Sequence, residues 1–244
     1  LVRSLDFQKK GAGTLTMANV VGRQTASAGV SNALLTVTVS GGKLGLTATN
    51  TFNGWSAVSS GATLEVSGAG QLDSGNYAQP ITNNGTLSVT TTAGQILSGV
   101  ISGTGVLTKA NTGVLTLSGV NTYTGATTIS GGSLIGVTTG SAASSVVTVG
   151  AGATNGVQVV AANGQWTCAG LTYSAGATFA DYNYGVNFAS TNAAPMQVNG
   201  NLAFTGTPTV RISGGIFAVG SYPLYKYTGA LSGTLTRNTD INGA

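Results

Sequence analysis

The sequence predicts an all-β protein built as a β-solenoid. Three observations carry that expectation: charge is scarce, strand-like alternation is dense, and parts of the chain repeat. Of 244 residues, 9 are Lys or Arg, 5 are Asp or Glu, none is His and 39 are Gly. Surface helices need charged residues on their wet face, and about a quarter of ordinary globular sequence is charged. At 6% charge and 41% hydrophobic residues, helical and α/β architectures are excluded. So is highly charged disorder, which combines low hydrophobicity with high charge.

Short runs alternate apolar residues with Thr or Ser. They include Leu34 to Val39, Thr86 to Thr90, Val114 to Leu117, Val146 to Val149 and Thr209 to Ile212. A period of two marks half-buried strands. Between the runs sit Asn-Gly pairs, at Asn53-Gly54, Asn84-Gly85, Asn155-Gly156, Asn163-Gly164, Asn199-Gly200 and Asn242-Gly243. Both residues tolerate the left-handed backbone of tight corners.

An antiparallel sandwich and a solenoid both fit short strands with frequent corners, and internal repetition decides between them. At an offset of 100 residues, Lys9, Gly13, Leu15-Thr16 and Val20 match Lys109, Gly113, Leu115-Thr116 and Val120. At an offset of 71, Leu44, Leu46, Asn50-Thr51-Phe52 and Gly54 match Leu115, Leu117, Asn121-Thr122-Tyr123 and Gly125. A solenoid stacks short strands in parallel about 4.8 Å apart. Like residues then fall into interior ladders, and Thr and Ser clothe the outside without stacking like charges. At about 20–25 residues per coil, the chain makes about 8–12 coils and a rod about 40–55 Å long.

The block from Gly105 to Leu134 resembles the autotransporter-associated β-strand repeat of secreted bacterial surface and passenger proteins. The match rests on Lys109, Gly113, Leu115, Leu117, Asn121, Tyr123, Gly125 and Ile129. The segment Phe217 to Gly229 is similar to the stretch that closes such arrays. The resemblance implies a right-handed parallel β-helix, export from a bacterium to the cell surface or beyond, and a passenger or fibre role. It implies no enzyme activity.

Residues 1–195 are expected to form the solenoid repeats. The repeat signal weakens in 196–244, where Pro208 and Pro223 occur. Proline belongs at strand edges and caps, so this part is expected to be a less regular β cap or an assembly segment. The first residue is Leu1 and no signal-peptide pattern follows, which reads as an interior piece of a longer precursor.

Candidate chemistry is sparse. Without His there is no Ser-His-Asp or Cys-His catalysis. The five acids form no local cluster of the kind that glycosidases or calcium loops need, so no enzyme, metal or cofactor is expected. Cys168 reads as a small buried hydrophobe, with an intermolecular disulfide as the alternative. The formal charge of +4 is thinly spread and lacks the basic patch of a nucleic-acid binder. No apolar run is long enough for a transmembrane helix. Lys9 and Lys109, at equivalent repeat positions, are expected to hold solvated ammonium groups.

The candidate ligand or partner surface comprises Tyr173, Asp181, Tyr182 and Tyr184 in the aromatic-rich stretch, with Trp55 at a corner. Aromatic faces and a carboxylate suit surface glycans, although an aromatic ladder packing a coil is the plainer reading. The function expected is structural: a surface fibre, sheath or passenger stalk that self-associates, with end-to-end extension where stacked strands leave open edges. An adhesin or carbohydrate-binding module is the alternative.

Overall fold

The computed structural model describes residues 4–18, 34–182, 193–213, 222–235 and 239–241. Among these residues every pairing between strands is parallel, and three sheets run along the molecule. The first sheet holds Ser4–Lys9, Leu34–Val39, Ser56–Val58, Ile81–Asn83 and Ile101–Ser102. The second begins with Thr14–Met17, Lys43–Leu46, Thr63–Gly68, Thr86–Thr91, Val106–Lys109 and Thr127–Ile129. The third runs from Asn76–Tyr77 through Val114–Leu117, Ser133–Val137, Thr154–Gln158 and Thr178–Tyr182 to Thr209–Ser213 and Thr239–Ile241. Among the described residues no helix is long and apolar enough to cross a membrane.

One coil visits the three sheets in turn. Leu87 to Leu107 and Leu107 to Thr127 are steps of 20 residues, Val147 to Leu171 is 24, and Leu171 to Leu202 is 31. The coils are longest toward both ends: Leu15 to Leu44 is 29 residues, as is Leu202 to Leu231. Beyond Ile101–Ser102, the face of the first sheet passes to residues that run on into the second. Ala142–Val149 and Trp166–Ser174 are long strands, and a register shift falls between Ala142 and Val146. The ladder then continues from Trp166–Cys168 to Met196–Val198 and on to Tyr225–Tyr227. Ten strands lie on the main path of the second sheet, which corresponds to a rod about 43 Å long.

Alternation sorts the side chains. In Thr63–Gly68, Leu64 and Val66 point inward and are fully buried while Thr63, Glu65 and Ser67 face out. One interior row runs Leu15, Leu44, Leu64, Leu87, Leu107, Thr127, Val147, Leu171, Leu202 and Leu231. Each buried Leu in it contributes about 1.5–3 kcal/mol. The eight inner members are no more than 2% exposed, whereas Leu15 is 39% and Leu231 49% exposed. Near the C-terminal end the interior is aromatic: Tyr173 stacks on its ladder partner Phe204 at 5.9 Å, and Phe179 and Tyr225 lie 4.7 Å apart. Cys168 is fully buried, and burial pushes its thiol up to about 12. It packs as a small hydrophobe.

Candidate functional site

The residues expected to make one surface are dispersed. Tyr173 and Asp181 are both fully buried. Because Phe179 faces the core, strand alternation turns Asp181 inward as well and leaves Tyr182 on the outer face. Tyr173 donates from its hydroxyl to Asn155 Oδ1 at 3.2 Å inside the stack. A surface role for Tyr173 and Asp181 is therefore replaced by an interior one. Trp55 is 47% exposed beside the first-sheet strand Ser56–Val58, on a different face from Tyr182. Tyr184 lies outside the described residues.

Asp181 is an unusual core residue, because neither carboxylate oxygen has a hydrogen-bond partner. Desolvation pushes its pKa up to about 7. The other carboxylates with described side chains lie apart from it. Asp6 accepts from Gln8 at 2.6 Å and from Thr36 at 3.0 Å, and these bonds hold its pKa below the usual value. Glu65 pairs with Lys43 at 2.6 Å. Among the described residues, no three His, Cys, Asp or Glu side chains converge as a metal site would require.

Tyr182 does line a depression. A groove of about 270 Å³ opens on the outer face of the third sheet, between Val114, Thr116, Ser133, Ile135, Gln158 and Tyr182. Its floor follows the outward row Thr116, Ile135, Gly156, Ala180. Gly156 makes the depression. A Cβ there would meet Ile135 Cδ1 at 2.7 Å, Ala180 O at 2.9 Å and Tyr182 Cε2 at 3.1 Å. The Tyr182 ring leans into the space that a side chain at 156 would fill.

The repeat signature has a structural basis at the corners. Lys109 is fully buried, which corrects the expectation of a solvated ammonium. Its Nζ donates to the carbonyls of Ala110 (2.7 Å), Asn111 (3.0 Å) and Gly131 (3.2 Å). Lys9, 7% exposed, does the same with Lys10 (2.9 Å), Gly11 (2.8 Å) and Gly41 (3.0 Å). Corner carbonyls that turn away from the ladder need donors, and the ammonium supplies three. Burial pulls the Lys109 pKa down to about 8.

The coil stacked on each lysine also matches: Val39-Ser40-Gly41-Gly42 over Lys9 and Ile129-Ser130-Gly131-Gly132 over Lys109. Ser40 and Ser130 each donate a backbone N–H to the lysine carbonyl, at 2.9 and 2.8 Å. Gly42 and Gly132 have φ of +62° and +61°. This second half of the motif was visible as a repeated Ser-Gly-Gly, but its spacing from the lysine differs by ten residues between the copies.

Asn121 ties three coils together. Its Oδ1 accepts from Ile101 N at 2.8 Å, and its Nδ2 donates to Gly119 O and Ser141 O, both at 2.9 Å. Asn50 likewise donates to Ala48 O and Gln71 O. Tyr123, fully buried, bonds Thr127 at 2.7 Å, and Thr127 bonds Ser145 at 2.9 Å. Leu115, Leu117 and Ile129 are fully buried in the interior. Gly113 and Gly125 lie against the preceding coil, where a Cβ would strike the carbonyls of Ala93 and Gly105.

No curated protein and no solved structure matches the chain. One family does match, over residues 107–135. These residues contain the buried lysine, the Asn121 tie and the Tyr123 hydroxyl chain, and they are the stretch that resembles the autotransporter-associated repeat. The chain thus carries, at residues 107–135, a passenger-associated-transport-repeat.

Proposed function

We propose that this chain is a structural section of an exported bacterial passenger protein, a right-handed parallel β-helix acting as a stalk at or beyond the cell surface. The repeat at 107–135 supports the passenger assignment. Its role is mechanical and non-enzymatic: continuous backbone ladders and stacked apolar rows stiffen the rod. Residues 196–244 form its less regular end and take part in assembly.

What supports self-association is the unbroken parallel ladder of the second sheet, from Thr14–Met17 to Tyr225–Tyr227. A parallel strand edge takes a further parallel strand, so one copy stacks end to end on the next. In such a stack the outward row that ends at Ser232 continues into Thr16 of the next copy. Their Cα atoms then sit about 4.8 Å apart, within disulfide range. A Thr16→Cys/Ser232→Cys double variant is expected to oxidise into a ladder of covalent multimers, with filaments in electron micrographs. Monomers alone at high concentration, in sedimentation and on non-reducing gels, would sink the assembly claim.

A further inference from the structure

We propose that the groove on the outer face of the third sheet binds a neutral hexopyranose unit of a glycan. A pyranose has an apolar C–H face and a rim of hydroxyls that both donate and accept. The groove offers the complement: the Tyr182 ring with Val114 and Ile135 for the apolar face, and Thr116, Ser133 and Gln158 for the rim. None of the six lining residues is charged, so an anionic or cationic group entering here loses water without gaining a counter-charge. An extended peptide is disfavoured on other grounds. The groove lies on the face of the sheet, where the backbone groups of Val114–Leu117, Ser133–Val137, Thr154–Gln158 and Thr178–Tyr182 are already engaged in their ladders. Strand addition needs a free edge.

The surroundings give the glycan a direction. The outward row containing Ser133 continues through Thr154, Thr178 and Thr209, one hydroxyl per coil. A glycan that leaves the groove on the Ser133 side runs along the rod axis over these hydroxyls, about 13 Å along the strand direction from Tyr182. The sequence signal was Tyr182 itself; the parts supplied by Thr116, Ser133 and Gln158 come from three other coils.

Isothermal titration of the whole chain against neutral pentasaccharides of glucose, galactose and N-acetylglucosamine, with oligogalacturonate as the acidic arm, tests the proposal. At least one neutral probe is expected to bind with a Kd of about 1 mM or tighter. Tyr182→Ala should weaken it by about tenfold or more. Tyr182→Phe, which keeps the ring, should bind within about threefold of the parent. Thr116→Trp fills the groove from an outward position and should abolish binding while the circular dichroism spectrum is kept. Trp55→Ala, on another face, should bind as the parent does. The proposal is overturned if no neutral probe binds, if only oligogalacturonate binds, or if the folded Thr116→Trp variant binds unchanged.

Discussion

The Lys109 ammonium bridges one coil to the next, reaching the Gly131 carbonyl at 3.2 Å while holding the Ala110 and Asn111 carbonyls of its own corner. The group is fully buried, yet all three of its donors are used. It fastens a corner in the way a bound cation would.

Lys109→Met keeps much of the side-chain volume and removes the donors. Three corner carbonyls then lose a charged partner, and the expected cost is about 3 kcal/mol. Urea titration followed by circular dichroism should show a clear fall in midpoint. An unchanged midpoint would mean that water replaces the ammonium without penalty.

Gly132 closes the same cage from the next coil. Its φ is +61°, and a Cβ would strike Asn111 O, approach Gly113 O at 2.6 Å and approach Lys109 Nζ at 2.8 Å. Gly132→Ala combines left-handed strain with a backbone clash and should cost about 2–4 kcal/mol. Gly61 has a similar φ of +75° but nothing within 4 Å of its Cβ. Gly61→Ala should therefore cost only about 1 kcal/mol. Equal losses in thermal melts of the two variants would remove the cage from the explanation.

Asn121→Ala leaves the buried Ile101 N–H without the acceptor it now has at 2.8 Å. Repeat arrays respond locally to such damage. Amide exchange at Ile101 should accelerate by about tenfold or more, as expected for an unmet buried donor. Amides in the distant Leu34–Val39 strand should keep their rates. Uniform acceleration along the rod would show that the coils unfold as one unit instead.

The fold class was legible because its signals are local. Alternation gave the strands, and scarce charge fitted a stacked array. Asn-Gly pairs marked corners at Asn53, Asn84, Asn163 and Asn199, but Asn155-Gly156 lies inside the strand Thr154–Gln158, and among the described pairs only Asn163 takes the left-handed backbone. The repeats were legible as sequence but not as geometry. Lys9 ends a first-sheet strand, whereas Lys109 ends a second-sheet strand. Leu44 and Leu46 sit in the second sheet, but Leu115 and Leu117 sit in the third. The offsets of 100 and 71 therefore span whole coils plus one face. What recurs is a lysine-fastened corner, and unequal coils carry it round the rod. The site was less legible. Hydrophobic alternation turns Tyr182 outward and Asp181 inward, a distinction available once Phe179 is assigned to the core. The groove also depends on which residues of neighbouring coils fall beside Tyr182, and coil length varies too much to count that out in advance.

Asp181 should make the C-terminal coils sensitive to pH. It is fully buried, neither oxygen has a partner, and its pKa is pushed up to about 7 by desolvation. In the unfolded chain an Asp titrates near 3.9. The folded state therefore binds the proton more tightly, so this residue favours folding least when it is ionised. Stability is full below about pH 4, declines between about pH 4 and 7, and stays at the lower level above that. The total change is about 4 kcal/mol. Asp181→Asn imitates the protonated form and cannot ionise. It should match the parent near pH 4, melt at a higher temperature at pH 8, and lose the slope between. Exchange at amides of Thr178–Tyr182 should report the difference, while the Lys109 corner should not. If the variant keeps the parent's slope, the carboxylate reaches water or a cation when ionised and is not the cause of the pH dependence.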